Sequence, residues 1–320
     1  MEAYSKDLSV GVNIEDVSIS KAKEHTILYS RFSIPDTILK IILLASTSVT
    51  LLTTMSIIFL ISRETYHFFQ VVPFADFFLG TEWQPLIIPA SYGVLPLVLG
   101  SSLIVVLSIS IALPVGLLIS TYLSEFASLT TRSLVKPFLE ILAGIPTVVY
   151  GYFALTFVTP LLMHYFPSIE VFNAASAGIV VGIMILPMVS SLCDDAFQAV
   201  PKSLKEAGHG LGATSFEVIR DILVPAASFR IVAAIILAIS RALGETMAVT
   251  LAAGATPNME FGFLKSIQTM TAYIVEVSLG DTPSGGIEYL TCYAVAALLF
   301  VITFTLNIIG NRYMKSAMKG

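Results

Sequence analysis

Six apolar stretches, each long enough to cross a lipid bilayer, constrain the fold of this chain more than any other feature. A helix needs about 20 mostly apolar residues to cross the hydrocarbon core. The six stretches cover residues 38–61, 94–122, 134–158, 174–192, 229–252 and 289–311. Only 12% of the residues are charged, about half the share of roughly 25% in ordinary soluble domains. The sequence therefore predicts an all-α fold, a polytopic transmembrane helical bundle of six spans.

Lysine and arginine are distributed unevenly between the two sides of this bundle. Of the 17 Lys and Arg residues, Arg63 and Lys265 lie in predicted outer connections, Arg241 lies within a span, and all others lie in predicted inner segments. Cytoplasmic segments carry such an excess of positive charge. We therefore expect a cytoplasmic (inner) membrane protein with a cytoplasmic N-terminal tail over residues 1–37 and a cytoplasmic C-terminal end over residues 312–320.

Two longer connections are predicted on the outer side. Residues 62–93 contain FADFFLGTEWQP, an aromatic-rich stretch that suits an interfacial segment or a re-entrant hairpin. Residues 253–288 end in the turn-rich, acidic GDTPSGGIEY. The second connection is either a docking surface for an external partner or an ordinary solvated loop, and its composition does not decide between them.

Several classes of function are disfavoured by composition and motif. The net charge of −5 gives no support for nucleic-acid binding. The two cysteines and four histidines have no spacing typical of a metal site, so neither a bound metal nor a membrane enzyme is supported. The sequence contains no Gly-Lys pair and therefore no phosphate-binding loop for ATP. If ATP drives this protein, another chain must hydrolyse it.

The inner connection at residues 201–225 has the sequence PKSLKEAGHGLGATSFEVIRDILVP. Its three glycines predict an elbow between two short helices, and Thr214 followed by Glu217 predicts a capping box at the start of the second helix. We expect Pro225 to break that helix before the fifth span.

The second of these short helices is predicted to be amphipathic. Phe216, Ile219 and Leu223 recur at helical spacing and should share one face. This face either packs on the same chain or presents a helix to a groove of a cytoplasmic partner. The residue pattern alone supports both interpretations.

The same connection resembles the EAA loop of ABC-importer permeases, whose pattern is Glu-Ala-Ala-x3-Gly-x9-Ile-x-Leu-Pro. The matching residues are Glu206, Ala207, Gly208, Gly212, Ile222 and Pro225. Gly208 stands for the second Ala, and Val224 for the Leu. The resemblance implies that the loop docks into a cleft of an ATP-hydrolysing subunit and transmits its movement, with Phe216 and Ile219 at the contact.

Three further stretches resemble the PstC-type permeases of phosphate importers. They are FFLGTEWQP at 77–85, LEILAGIPTVVYG at 139–151 and RALGETMAV at 241–249. The resemblance implies a type I ABC-importer (MetI-like) fold and transport of inorganic phosphate by alternating access. It also implies a heteromeric complex with a sister permease, an ATP-binding subunit dimer that carries ATP and Mg, and an extracytoplasmic phosphate-binding protein. No cofactor is expected on this chain.

The fifth span carries Arg241 and Glu245 near its middle. Insertion of an arginine at that depth costs about 2.5 to 3.5 kcal/mol, so such a residue normally faces the bundle interior or a water-filled cavity. The pair is either a structural ion pair between helices or an anion site. Arginine offers a fork of donors for two phosphate oxygens, and a glutamate can accept the P–OH that sulfate lacks.

We therefore predict that Arg241 attracts the anion and that Glu245 orients it and selects phosphate. The competing interpretation is that Glu245 only holds Arg241 in place. Ser240 and Thr246 flank the pair and either donate to the anion or bond back to their own helix.

The third span contains a candidate gate or hinge at Glu140, Gly144 and Pro146. Gly144 and Pro146 weaken the helix, although packing against a neighbour explains them equally well. Glu140 lies four residues after Lys136, and an interfacial ion pair between the two is the favoured interpretation. Two alternatives to the phosphate importer stay open: an ABC permease for another oxyanion such as molybdate or sulfate, and a proton-coupled secondary transporter that uses Arg241 and Glu245.

Overall fold

A computed structural model describes residues 36–280, 282–283 and 285–317. Apart from its last two residues, the predicted N-terminal tail lies outside the described residues, as do residues 318–320. The chain divides into two compact units, of which the first ends at Leu60 and the second begins at Ile61.

The described part of the first unit is the beginning of helix α1 (Asp36–Val71). Hydroxyl groups along this apolar helix donate to backbone carbonyls one turn back, which satisfies them without water. These are the hydroxyls of Thr47, Thr50, Thr53, Thr54 and Ser56. The helix extends ten residues beyond the predicted end of the first span at residue 61.

In the second unit, α1 is followed by an aromatic cap in the predicted outer connection. Helix α2 (Phe74–Leu79) leads into the antiparallel strands β1 (Trp83–Gln84) and β2 (Ser91–Tyr92), with Trp83 opposite Tyr92. Phe68 and Phe77 are fully buried and Trp83 is 2% exposed. The rings of Phe77 and Trp83 lie edge to face, 6.2 Å apart, so the aromatic segment forms a packed cap. Its role as an interfacial segment or a re-entrant hairpin stays a prediction.

The centre of the second unit is the packing of helix α3 (Leu95–Thr121) against helix α7 (Ala174–Gln198). Glycines on α7 allow this close approach. A Cβ added at Gly178 would lie 2.5 Å from Cβ of Leu107, and one added at Gly182 would lie 3.0 Å from the carbonyl oxygen of Ser108. A π-helical turn, Tyr122–Phe126, extends α3 at its end.

The predicted third span is divided in the structure, so its bounds at 134–158 are wrong. Helix α4 (Leu129–Gly144) ends at extended backbone over Ile145 and Pro146. Proline lacks an N–H and disfavours helical geometry at the residue before it. Helix α5 (Thr147–Phe153), a π-helical turn (Ala154–Val158) and helix α6 (Thr159–Tyr165) follow. The spanning helix is therefore Thr147–Tyr165.

The predicted inner connection contains helix α8 (Lys202–Gly210) and the short helix α9 (Ser215–Glu217). A π-helical turn (Val218–Leu223) joins α9 without interruption to helix α10 (Val224–Leu243), and helix α11 (Met247–Ala252) follows after a break. Helix α12 (Met270–Leu279) lies in the predicted outer connection, and helix α13 (Ile287–Ala317) is the last span. Within the described ranges, six helices are long and apolar enough to cross a membrane, which confirms the predicted number of spans and the all-α class.

Candidate functional site

Small residues allow α10 to pack deeply into the bundle. Ala234, Ala238 and Ala242 recur every four residues and are at most 3% exposed, so they form one buried face of the helix. Arg241 precedes Ala242 and therefore points to the edge of this face. Its side chain is 43% exposed, although it belongs to a helix of membrane-spanning length.

The helix stops directly after this arginine. Leu243 is the last residue of α10, Gly244 follows with ψ near −1°, and Thr246 precedes α11 with φ −117°. The predicted continuous span over 229–252 is therefore wrong in this detail. Glu245 lies in the break between two helices rather than one turn further along the same helix.

Arg241 and Glu245 nevertheless form an ion pair across the break. Arg241 Nη1 donates to Glu245 Oε2 at 2.7 Å, and the backbone N–H of Ala248 donates to Glu245 Oε1 at 3.3 Å. Glu245 is only 3% exposed, in contrast to Arg241. The carboxylate is thus a buried anchor that holds one nitrogen of the guanidinium, while the arginine side chain remains partly exposed.

The glutamate is enclosed by α3 and by the segment that begins α12. Ser101 and Ile104 of α3 and Thr269 and Thr271 of the outer segment line the small space around it. The sequence analysis missed Ser101 and Thr271. No local pattern reveals them, because Thr271 is 26 residues from Glu245 along the chain and reaches it only through the fold.

The two hydroxyl residues beside the pair differ in their bonding. Thr246 Oγ1 donates to the carbonyl oxygen of Gly244 at 3.2 Å, which agrees with bonding to its own chain. The hydroxyl oxygen of Ser240 is buried and has no hydrogen-bond partner among the described residues. Donation to an anion by either residue stays a prediction.

The gate candidates lie at the end of α4 and just after it. Gly144 ends the helix with open space around it, Pro146 precedes α5, and the side chain of Glu140 is exposed. The predicted pairing of Glu140 with Lys136 is wrong, because Lys136 Nζ lies 2.8 Å from Asp194 Oδ2 instead. Whether this region gates the pathway stays a prediction.

Asp194 of α7 is the residue that binds α4. It is 1% exposed and also accepts two hydrogen bonds from Arg132 Nη2, at 3.0 Å to Oδ1 and 2.8 Å to Oδ2. The sequence could have indicated this role for Asp194, because an ionisable residue at the end of a membrane-spanning segment normally has a charged partner.

The residues of the EAA-like loop fall into an exposed and a packed group. Glu206 and Ala207 are exposed on α8 and Phe216 is 67% exposed. Gly208 is buried, since a Cβ added there would lie 2.5 Å from Cδ1 of Ile222. Gly212 adopts φ +86° in the turn before α9, a backbone conformation that favours glycine.

The capping box of this loop is confirmed, and its amphipathic face is wrong. Thr214 Oγ1 accepts from the backbone N–H of Glu217 at 3.4 Å, and Glu217 Oε2 accepts from the backbone N–H of Thr214 at 2.8 Å. Leu223 is fully buried although Phe216 is exposed. The π-helical turn between them has a wider repeat, so residues at α-helical spacing no longer share a face.

Pro225 does not break the helix as predicted. It lies in the first turn of α10, where the helix continues from the π-helical turn, and a local π-helical adjustment of this kind re-satisfies the backbone groups that a proline leaves unpaired. Ile219 and Ile222 are half-buried, and Ile219 packs against the main hydrophobic core. Nothing in the described part of the chain groups three or more His, Cys, Asp or Glu side chains as a metal site would.

Comparison with known proteins places this geometry among membrane transport components. A family model described as "Binding-protein-dependent transport system inner membrane component" matches residues 112–316. The chain is 34% identical over 244 residues to the probable ABC transporter permease protein YqgH of Bacillus subtilis, with 76% of this chain and 78% of the relative covered. It is 32% identical over 266 residues to the phosphate transport system permease protein PstC of Haemophilus influenzae, with 76% and 82% covered.

Solved structures with the same fold include two ABC transporters. A chain of a bacterial alginate ABC transporter aligns with a TM-score of 0.62 and 16% identity, covering 87% of this chain and 93% of that one. A chain of the MetNI methionine ABC transporter in an inward-facing conformation aligns with a TM-score of 0.52 and 16% identity, covering 70% and 94%. At this identity the likeness concerns the fold alone.

Proposed function

Because the chain belongs to the binding-protein-dependent transport system inner membrane component family, and is thus a multi-pass permease subunit of an ABC importer, we propose that the substrate it moves is inorganic phosphate. Family membership excludes the self-sufficient secondary transporter that the sequence left open. It does not choose among oxyanions. Relatives that carry the name of a phosphate transport permease, at 28 to 32% identity, motivate the choice of phosphate.

The partly exposed side chain of Arg241 is the observation that carries this proposal. The carboxylate of Glu245 holds it at 2.7 Å through one nitrogen, and a guanidinium has five N–H donors in a fixed fork. With the side chain 43% exposed, donors remain free for an oxyanion. A planar fork matches two phosphate oxygens better than a lysine ammonium does.

The buried glutamate supports an orienting role. A long arginine side chain loses conformational freedom when it is fixed in one position, and the ion pair with Glu245 supplies this fixation before the anion arrives. For the Glu245 carboxylate to contact the substrate, its ion pair with Arg241 must first rearrange. Selection of phosphate through its P–OH group therefore stays our prediction for Glu245.

The pathway itself needs a second subunit. We propose a sister permease that covers the accessible side of Arg241, since an arginine exposed to hydrocarbon is costly. We propose further that both termini lie in the cytoplasm and that an extracytoplasmic phosphate-binding protein delivers the anion. The break at Ile145–Pro146 and the free end of α4 at Gly144 support a gate at this position.

The EAA-like loop is proposed to couple this movement to an ATP-binding subunit dimer that carries ATP and Mg. Exposed apolar side chains on adjacent short helices support docking, with Leu204 46%, Leu211 91% and Phe216 67% exposed. The guanidinium of Arg220 lies 5.8 Å from the ring centroid of Phe216, which keeps the ring accessible on its other face. An apolar patch rimmed by charge is typical of a partner contact.

Uptake by the assembled complex tests the substrate. Liposomes that contain the complex, its binding protein and internal ATP are given labelled phosphate, sulfate or molybdate. We expect ATP-dependent uptake of phosphate that unlabelled sulfate in excess does not reduce. Uptake of sulfate or molybdate in place of phosphate would establish the second candidate, a permease for another oxyanion, which the name of the Bacillus subtilis relative leaves open because it states no substrate.

A further inference from the structure

The segment that begins α12 contacts the helix break that holds the buried glutamate. Thr271 Oγ1 donates to the backbone carbonyl oxygen of Glu245 at 2.6 Å. Both residues are buried, with Thr271 5% and Glu245 3% exposed. Because α10 ends at Leu243, carbonyl groups in the following break need partners from outside their helix. Thr271 supplies one for Glu245.

The direction of the hydrogen bonds around Thr271 follows from its single hydroxyl proton. That proton is used on the Glu245 carbonyl, so Thr269 must donate in the 3.1 Å contact between the two threonine hydroxyls. Thr269 Oγ1 in turn accepts from the backbone N–H of Ala272 at 3.2 Å. The result is a directed relay, Thr269 to Thr271 to the carbonyl of Glu245, in which each member is satisfied.

Helix α3 fixes this relay from behind. The backbone N–H of Met270 donates to Ser101 Oγ at 3.0 Å, and Ser101 is 4% exposed. One residue earlier on α3, a Cβ added at Gly100 would lie 2.3 Å from the carbonyl oxygen of Gln268. The backbones of α3 and of the outer segment are therefore in direct contact, and Thr271 has little freedom to move away from Glu245.

We propose that Thr271 is a positioning residue for the Arg241–Glu245 pair. It fixes the backbone of the helix break, this backbone aims the Glu245 carboxylate, and the carboxylate holds the guanidinium. The part of the inference that concerns transport rests on the proposed function, whereas the part that concerns the break does not.

Two measurements on the assembled complex test the relay. Hydrogen–deuterium exchange reports the opening of residues 244–248, whose bonds include Glu245 N–H to the Ala242 carbonyl at 3.2 Å. We expect Thr271→Val to speed exchange in this segment about tenfold, the effect of losing one buried hydrogen bond, and to leave segments away from the Thr269–Thr271 relay unchanged. Phosphate taken up per ATP hydrolysed should fall by about the same factor.

Two variants separate positioning from general destabilisation. Thr271→Ser keeps the hydroxyl and should stay within about twofold of the wild type in both measurements. Thr303→Val removes a hydroxyl that donates only to its own helix, to the carbonyl oxygen of Leu299 at 2.8 Å, and should change neither. Ser101→Ala removes the acceptor of the Met270 N–H and so loosens the start of α12, which carries Thr271. It serves in place of Thr271→Val if that complex does not assemble.

The outcomes separate the inference from the proposed function. Unchanged exchange at 244–248 in Thr271→Val, an equal increase along the whole chain, or a Thr271→Ser variant as impaired as Thr271→Val would each overturn the relay. If the wild-type complex imports no phosphate but exchange at 244–248 still depends on the hydroxyl, the proposed function is wrong and the positioning role stands.

Discussion

Replacing Glu245 with glutamine tests how the pair works, because glutamine keeps the shape of the side chain and removes its charge. The carboxylate accepts two hydrogen bonds on different oxygens, from Arg241 Nη1 at 2.7 Å and from the backbone N–H of Ala248 at 3.3 Å. A glutamine has one acceptor oxygen and an NH₂ group that only donates. In either orientation its NH₂ group faces a donor, so one of the two bonds is lost.

The size of the effect follows from the exposure of the two partners. A hydrogen bond to a charged group contributes about 1.5 to 3 kcal/mol. Because Arg241 is 43% exposed, water screens the pair and replaces part of the lost bond, which reduces the loss to about 1 to 2 kcal/mol. Such a loss lowers the population in which Arg241 is held in place by about 5- to 30-fold.

The assay is ATP-dependent uptake of phosphate and of sulfate by reconstituted complexes. We expect Glu245→Gln to lower phosphate uptake about 5- to 30-fold. An orienting role alone leaves the ratio of phosphate to sulfate uptake unchanged, whereas our prediction that Glu245 also selects phosphate requires this ratio to fall. Glu64→Gln is the matched control, since Arg63 and Glu64 form another Arg–Glu contact, at 3.8 Å. Full phosphate uptake by Glu245→Gln would refute the reasoning.

Three further predictions concern packing and coupling, each measured on the purified complex. Asp194→Asn should lower the free energy of unfolding by about 2 kcal/mol, because Asp194 is 1% exposed between two cations. Asp195→Asn, at the exposed neighbouring residue, should change the free energy of unfolding little. Equal effects of the two substitutions would contradict this prediction. Gly151→Ala should destabilise the protein by about 1 to 3 kcal/mol, since the new Cβ would lie 2.9 Å from Cβ of Leu251. Gly144→Ala should not destabilise it, because its new Cβ would meet nothing within 4 Å. Thermal unfolding that ranks the two variants in the opposite order would contradict this prediction. Phe216→Ala should weaken co-purification with an ATP-binding subunit without changing thermal unfolding, and undiminished co-purification would contradict the proposed coupling contact.

Features that depend on neighbouring residues were predictable from the sequence. The capping box of Thr214 and Glu217 is local, and the structure contains both of its hydrogen bonds. The six spans follow from length and apolar composition. The weakness at Gly144 and Pro146 was also readable, but its consequence was not: these residues end one helix and precede the next, which moves the third span to Thr147–Tyr165.

Features that depend on the fold were not predictable in the same way. A π-helical turn has no clear sequence pattern, so the phase between Phe216 and Leu223 could not be assigned. Lys136 had an acceptor four residues away in Glu140, yet it binds Asp194, 58 residues further along the chain. The hydrogen bond from Thr271 to the Glu245 carbonyl likewise joins residues 26 positions apart. Long-range partners of polar groups are therefore what the structure adds to the candidate site.

The central claim is that the guanidinium of Arg241 contacts the anion on its way through the membrane. The most direct measurement compares ATP-dependent phosphate uptake by complexes that carry Arg241→Ala or Arg230→Ala, two exposed arginines of the same helix. We predict that Arg241→Ala abolishes uptake while the complex still assembles, and that Arg230→Ala retains it. Phosphate uptake at the wild-type rate by Arg241→Ala would contradict the account.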